Sequence, residues 1–460
     1  MSAAGTAGSK KVGMDLTQGP IMNSIIAFAL PIVLTNIVQQ LYALVDLMVI
    51  GHYMGSIGTV GVSTGGEVAD LVTPVATSFA TAGQIYMAQL TGAKKTKEIK
   101  TAVGTLITAM LVLSLVLGAG TIAFSRPVLH FLNCPEEAMG EAMRYMIITG
   151  AGYPFIFMYN AVCGSLRGMG ESKRPLYFIC VAATINIFLD ILFVAVLRMG
   201  SAGTAVATVM AQAGSFAAAF HYMYQRKERF DFELKLSYLR VDPHALRIIL
   251  SQAIPQIIRT TAVHFSMLWV NAGVNSYGLT ASATNSVGNK IQKFLQVFVI
   301  SVTQASGAIV GQNLGAGKKE RAAKVAWYTF RTTFAIACVL GAVSWLVPRQ
   351  VFGIFTNDPA VIDYGVVYMH IITIHYFTSA FTASFQSAIT GSGFATFDLF
   401  IGLLDGIICR VGLSILFAYI LRMGATGFFW ATALTRVIPG CIVFAYFISG
   451  KWKERKLLTV

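Results

Sequence analysis

Four oxygen-bearing side chains lie within long apolar runs, where a charged group is costly. Asp46 and Asp190 are carboxylic acids, Asn186 stands four residues before Asp190 on the same helical face, and Thr208 lies in the next run. Carboxylate, amide and hydroxyl oxygens are hard ligands, so the set predicts a site for Na⁺ or for a proton shared by a coupled acid pair. If Na⁺ is the ion, the same four residues form the metal site. The alternative is that both acids only join helices through hydrogen bonds.

A second set of charged residues inside apolar runs is mostly basic. It comprises Arg259, Arg410, Arg436 and His264, with the acid Asp405. One interpretation is internal pairing of Asp405 with Arg259 or Arg436; the other is a polar, anion-tolerant wall of a central cavity. Arg410 and Asp405 are five residues apart, about 140° around an α-helix, so they are not expected to face each other. His264 is either a structural histidine or a proton relay.

Three further acids are expected at wet positions. Glu67 and Asp70 lie near the outer end of the second apolar run, and Asp398 lies at the cytoplasmic mouth of the eleventh. Position alone predicts solvated side chains there.

The composition places these residues in a membrane protein. The chain has 460 residues, of which 55% are hydrophobic and only 12% charged, with a mean hydropathy of +0.67. A bilayer core about 30 Å thick needs about 20 apolar residues per helix. Twelve such runs occur, near residues 21–50, 62–90, 101–124, 143–165, 175–197, 203–224, 248–275, 283–311, 323–347, 364–388, 397–420 and 426–449.

Basic residues set the expected orientation. With the N-terminus inside, cytoplasmic segments hold 23 lysines and arginines and outer loops hold five. Both termini are therefore expected in the cytoplasm, in a multi-pass protein of the inner (plasma) membrane. The net charge of +14 is explained by these loops, so no nucleic-acid partner is expected. No cleavable signal peptide is expected in the first twenty residues.

The two halves of the sequence repeat. Pro31 aligns with Pro255, and the tetrapeptide Leu-Arg-Met-Gly at 197–200 returns at 421–424, both at an offset of 224. Residues 89–93 resemble 312–316 at an offset of 223. An even number of spans per half places the pseudo-two-fold axis along the membrane normal, as in many secondary transporters. The predicted fold is an all-α membrane protein of twelve transmembrane helices in two six-helix bundles.

The repeat also predicts the domain organisation. It consists of a cytoplasmic tail at 1–20, an N-terminal lobe at 21–224, a cytoplasmic linker at 225–247, a C-terminal lobe at 248–449 and a cytoplasmic tail at 450–460.

Other chemistries have no supporting motif. The Gly-rich stretch at 58–66 lacks the Gly-Lys-Ser/Thr of a phosphate loop, so an ATP-driven pump is not indicated. The sequence has no Ser/His/Asp or zinc-ligand pattern that would indicate an enzyme. The six cysteines are not spaced as in a disulfide framework or a zinc site. No cofactor is expected apart from the coupling ion, H⁺ or Na⁺.

Several motifs resemble one family of transporters. The segments at 28–55, 89–93, 167–175 and 186–208 look like those of the multidrug and toxic compound extrusion (MATE) family, and the resemblance runs from about Asp15 to Lys451. It implies two six-helix bundles and efflux of drug-like small molecules by H⁺ or Na⁺ antiport. A monomer in the lipid bilayer is also expected.

The resemblance also carries site residues. In the prokaryotic branch with an N-lobe cation site, the matching positions are Asp46, Asn186, Asp190 and Thr208. Gln39 matches a polar position that faces the central cleft. Some members have acids at two further positions, where this chain has Val263 and a residue near Phe394. The replacement of these acids resembles the DinF-like type.

The sequence is compatible with three functions. The first is an antiporter for cationic or amphipathic compounds, with coupling in the N-lobe. The second is a flippase for lipid-linked oligosaccharides or lipids, which the basic C-lobe favours. The third is an ion channel or membrane scaffold, although acids in one lobe only favour gated binding.

Overall fold

The computed structural model describes residues 13–225 and 240–459. The first twelve residues of the predicted N-terminal tail and most of the predicted linker, 226–239, lie outside the described residues. Across the described ranges the chain is helical, with no strand. The predicted all-helical membrane fold is confirmed.

The helices follow the apolar runs closely. They are α1 (Ile21–Gly92), α2 (Thr96–Ala123), α3 (Ser125–Phe131), α4 (Glu136–Gly168), α5 (Lys173–Asp190), α6 (Ser201–Gln225), α7 (Pro243–Asn275), α8 (Leu279–Gly315), α9 (Lys319–Leu346), α10 (Pro348–Gly353), α11 (Pro359–Gly391), α12 (Ala395–Leu403), α13 (Arg410–Ser414), α14 (Ala425–Leu434) and α15 (Val437–Ile448). Three π-helical segments, Ile191–Val196, Leu404–Cys409 and Ile415–Ile420, extend or join them.

Helix α1 contains the first two predicted spans. Gly55 has φ 61° and ψ −145° inside it, a conformation that costs glycine little because it has no Cβ atom. This residue divides α1 into two helices. Ten helices of the described ranges are long and apolar enough to cross a membrane. The residues 56–92 and helix α7, which are more polar, complete the twelve predicted spans.

The backbone repeats at the offsets seen in the sequence. The π-helical segments Ile191–Val196 and Ile415–Ile420 are 224 residues apart. Arg198 and Arg422 both have a positive φ, 54° and 55°. Non-glycine residues rarely adopt this conformation, so its recurrence after the π segment supports a duplicated unit.

The described chain forms two compact units. One contains Leu41–Ile249 and the N-terminal residues to Gln18, and the other contains Gly19–Gln40 and Leu250–Leu458. The sequence repeat alone does not predict that the first half of span one packs within the second unit. There Asn36 Nδ2 donates a hydrogen bond to Ser301 Oγ at 2.9 Å.

Candidate functional site

The first unit brings the four predicted cation-site residues together. Asp46, Asn186 and Asp190 are buried, with 8%, 1% and 0% of their surface exposed, and Thr208 is half-buried. The Thr208 hydroxyl donates to Asp46 Oδ2 at 3.3 Å. Asp46 also interacts at close range with Asp190 and Asn186. Helices α1, α5 and α6 each contribute to the cluster.

Most polar atoms of this cluster lack a hydrogen-bond partner. Within the described residues, Asp46 Oδ1, both carboxylate oxygens of Asp190 and both side-chain amide atoms of Asn186 are buried and unpaired. A buried polar group without a partner costs roughly 1–3 kcal/mol, and a bare buried charge costs more. A cation at this position would relieve that cost. The unpaired oxygens therefore fit a bound Na⁺ or a shared proton.

Two residues that were not predicted extend the cluster along α6. Thr204 Oγ1 and Gln212 Oε1 are also buried without a partner in the described ranges. They lie four residues before and after Thr208, on the same helical face. Gln212 Nε2 donates to the Tyr42 hydroxyl at 3.4 Å. The spacing 204, 208, 212 is visible in the sequence and would have revealed them.

The oxygen atoms around Asp46 and Asp190 form a donor set with few charged ligands. Among the described residues, no three or more His, Cys, Asp or Glu side chains converge to hold a metal ion. The cluster has two carboxylates, and its other oxygens are neutral.

Gln39, two turns before Asp46 on α1, is half-buried and is placed in the second unit.

The second unit forms an ion-pair network around Asp405. Arg436 Nε lies 3.5 Å from Asp405 Oδ2, as one of the two predicted pairings requires. The Thr435 hydroxyl donates to Asp405 Oδ1 at 2.9 Å. Arg436 also donates to the Ser379 hydroxyl.

The prediction that Arg410 and Asp405 do not face each other is wrong. Arg410 Nη2 lies 3.9 Å from Asp405 Oδ1, and both residues are buried. The reason is the π-helical segment Leu404–Cys409. Its hydrogen bonds join residues five positions apart, which places Asp405 and Arg410 on nearly the same face.

Arg259 does not take part in that network as a close pair. No carboxylate of the described residues lies within ion-pair distance of it, and its buried Nε has no hydrogen-bond partner there. A Cβ atom at Gly402 would overlap its side chain, so the arginine crosses directly over this glycine. Asp398 and Asp405 attract it electrostatically without forming an ion pair with it.

Asp398 is buried rather than solvated, which corrects the sequence prediction. Only 8% of its surface is exposed. The Thr390 hydroxyl donates to Oδ2 at 2.6 Å, and Gln386 Nε2 donates to Oδ1 at 3.2 Å. Both donors come from the end of α11, just before α12 begins. The carboxylate is therefore satisfied by protein instead of water.

Among the described residues of the second unit, the fully buried histidine is His375 rather than His264. His264 is exposed. His375 is 1% exposed, and its Nδ1 lies 3.0 Å from the Thr432 carbonyl oxygen. Its position in the tenth apolar run gave no charge signal that distinguished it from a structural residue.

Two lysines near the middle of α8 were also not predicted as functional residues. Lys290 and Lys293 are both exposed, although α8 is a candidate membrane span. The repeat offset of 223, which applies to this helix, would have drawn attention to them.

An apolar groove runs between α7 and the segment Leu403–Val411. Its volume is about 590 Å³. Ile258, Phe265, Trp269, Leu403 and Ile407 are among the residues that line it. Such a lining suits the apolar part of an amphipathic molecule.

Comparison with known proteins gives the family. The sequence model of the MatE family matches residues 31–192 and 255–420, which is most of the chain and includes both repeats. The chain belongs to the MATE family. The family is one of transporters, so this protein is a multi-pass membrane transporter.

Relatives of this MATE protein are named for drug resistance. It is 24% identical to the probable multidrug resistance protein YpnP of Bacillus subtilis over 97% of this chain and 99% of the relative. It is also 24% identical to the probable multidrug resistance protein NorM of Thermotoga maritima, over 95% of each chain.

Solved structures show the same fold. A transporter of the MOP superfamily from Pyrococcus furiosus, described as having a binding pocket of reverse polarity, superposes with a TM-score of 0.90 at 18% identity. The match covers 97% of this chain and 99% of that one.

Proposed function

We propose that this protein is a secondary active multidrug efflux transporter. It exchanges H⁺ or Na⁺ for cationic or amphipathic organic compounds, and the coupling ion binds at Asp46, Asn186, Asp190 and Thr208. The observation that carries the proposal is the group of buried, unpaired oxygens on those residues. The names of the drug-resistance relatives support the class of cargo.

Ion binding would change the cost of burying the acid pair. A carboxylate that holds a proton or Na⁺ tolerates a dry site, whereas a bare carboxylate requires water or a donor. The ion biases the conformational equilibrium by its difference in affinity for the two states. Antiport follows if cargo and cation favour competing states.

Helix α1 is suited to transmit that change. Its residues up to Gln40 pack in the second unit, and those from Leu41 pack in the first, so α1 joins the units covalently. Pro31 lacks a backbone donor and lies fifteen residues, about 22 Å, before Asp46. We place the hinge of an alternating-access cycle near Pro31.

The remaining expectations belong to the same proposal. The transporter acts as a monomer in the inner (plasma) membrane with both termini in the cytoplasm, binds no nucleic acid and needs no cofactor besides its coupling ion. Its central cavity involves Gln39, Arg259, His264, Arg410 and Arg436.

The decisive experiment is efflux from proteoliposomes. Purified protein is reconstituted, and a proton or sodium gradient is imposed in separate samples with a panel of cationic, neutral and anionic compounds. Efflux that follows one gradient and stops when that gradient is dissipated supports antiport. Transport that ignores both gradients rejects it.

A flippase is the second candidate, favoured by the basic residues of the second unit. Movement of a fluorescent lipid across the bilayer, without efflux of any soluble compound, would select it.

A further inference from the structure

We propose that the second unit binds oxyanions through Lys290 and Lys293 on α8, so the cargo of this transporter carries an acidic group. The inference rests on the proposed function and narrows its cargo from cationic or amphipathic compounds to amphipathic compounds that carry an acidic group. The group is a carboxylate, sulfonate or phosphate on an amphipathic molecule, whether that molecule is a soluble compound or a lipid.

The position of the lysines requires an explanation. Helix α8 has 37 residues, and Lys293 lies four residues before its middle residue. Both lysines are exposed. Neither has a hydrogen bond or ion pair among the residues that the structure describes. A lysine near the centre of a membrane helix is energetically costly if it faces lipid. These side chains are therefore expected on a wet surface of the second unit.

The sequence repeat shows that the positive charge of these two lysines is specific to the second unit. Gln89 aligns with Gln312 and Gly92 with Gly315 at an offset of 223 in this helix, which places Glu67 opposite Lys290 and Asp70 opposite Lys293. All four side chains are exposed. Each repeat thus presents two like charges three residues apart on one helical face. The first unit presents acids, and the second presents bases.

The interior of the second unit also carries a net positive charge. Its buried or half-buried spans contain Arg259, Arg410 and Arg436 but only two matching acids, Asp398 and Asp405. Arg410 is 2% exposed, and its Nε has no partner in the described ranges. Surplus positive charge at low dielectric attracts an anion and repels a cation.

Lysine is suited to hold many acidic groups rather than one. Its ammonium is a compact charge with three rotatable donors on a flexible chain. It recognises an oxyanion by charge, with little demand on geometry. Two such groups one turn apart would select for an acidic function while tolerating different apolar bodies.

The test uses two dyes that differ only in the acidic group. A xanthene dye with a free carboxylate and its methyl ester are compared for equilibrium binding to the purified protein and for gradient-driven efflux. Lys290→Gln/Lys293→Gln is compared with Lys290→Arg/Lys293→Arg, which keeps the charge. Lys319→Gln, an exposed lysine at the start of α9, is the matched control.

A charge-assisted contact is worth roughly 1.5–3 kcal/mol, so loss of both lysines should weaken binding of the carboxylate dye by about tenfold or more. Binding of the ester should stay the same, and the arginine and control variants should resemble the native protein. Equal binding of the two dyes by the native protein, or equal loss of both in the glutamine variant, overturns the inference. If the glutamine variant does not fold, the comparison of the two dyes in the native protein and in the arginine variant still tests the inference.

Two further measurements separate the possible failures. Selective binding of the carboxylate dye without gradient-driven efflux keeps the oxyanion site and rejects the antiporter. Translocation of a fluorescent anionic lipid that depends on the lysines, with no efflux of either dye, identifies a lipid as the source of the acidic group.

Discussion

Thr208 donates a hydrogen bond to Oδ2 of Asp46 at 3.3 Å, although the two residues are 162 positions apart in the chain. This contact joins α6 to α1 beside the buried carboxylate of Asp190. It satisfies one oxygen of Asp46 and leaves the other without a partner in the described ranges. The geometry is that of a site with capacity for a further positive ligand.

Neutralising either acid should abolish coupled transport. Asp46→Asn or Asp190→Asn removes the negative charge that attracts the cation while keeping the size of the side chain. We expect gradient-driven efflux in proteoliposomes to fall to the level of empty liposomes, with an unchanged melting temperature or a higher one. Asp363→Asn, at an exposed ion pair with Arg349, is the control and should transport normally. Normal efflux by either site variant would reject the coupling role.

Removing the Thr208 hydroxyl should weaken ion binding without eliminating it. Thr208→Val loses one donor to Asp46 and one oxygen ligand, worth roughly 1–1.5 kcal/mol. The concentration of coupling ion that gives half-maximal efflux should rise about tenfold. Thr208→Ser keeps the hydroxyl and should restore the native value. An equal shift in both variants would mean that the methyl group matters instead of the hydroxyl.

The sequence was sufficient to predict the helices and the proximity of Asp46, Asn186, Asp190 and Thr208, because an acid inside an apolar run is conspicuous. It did not reveal that Asp405 and Arg410 pair, since the π-helical segment between them has no sequence signature comparable to a cap or a turn. The sequence alone predicts a solvated Asp398, because the position of this residue along span eleven does not reveal that Thr390 and Gln386 donate hydrogen bonds to it. Those donors lie on another helix and become visible only when the fold is known.

Helix packing in the first unit should depend on Gly164. A Cβ atom there would lie 2.4 Å from the carbonyl oxygen of Ala80, whereas one at Gly120 would have nothing within 4 Å. Backbone cannot move aside as a side-chain tip can, so Gly164→Ala should cost about 1–3 kcal/mol. Gly120→Ala should be neutral or slightly stabilising. Thermal unfolding of the purified proteins measures both, and equal melting temperatures would contradict this packing.

Breaking the Asp405 network should affect stability more than coupling. Asp405→Asn leaves Arg410 and Arg436 without their shared carboxylate, and loss of one partner of a buried ion pair costs about 3–5 kcal/mol. We expect a lower melting temperature but an unchanged number of coupling ions per cargo molecule, measured from reversal potentials. A changed ion stoichiometry with native stability would place a coupling site in the second unit.

Ion binding at Asp46 should change the accessibility of α8. The six cysteines are free and are first replaced, and a single reporter is introduced as Ser286→Cys, one turn before Lys290 on an exposed face. If the cation shifts the equilibrium between states, its addition should change the rate of labelling by a water-soluble maleimide severalfold. The same reporter with Asp46→Asn should not respond, because the differential affinity that drives the shift is gone. Asn357→Cys, in an exposed loop, should label at one rate throughout. A rate at Ser286→Cys that ignores the cation in both backgrounds would show that ion binding and movement of the second unit are not linked through Asp46.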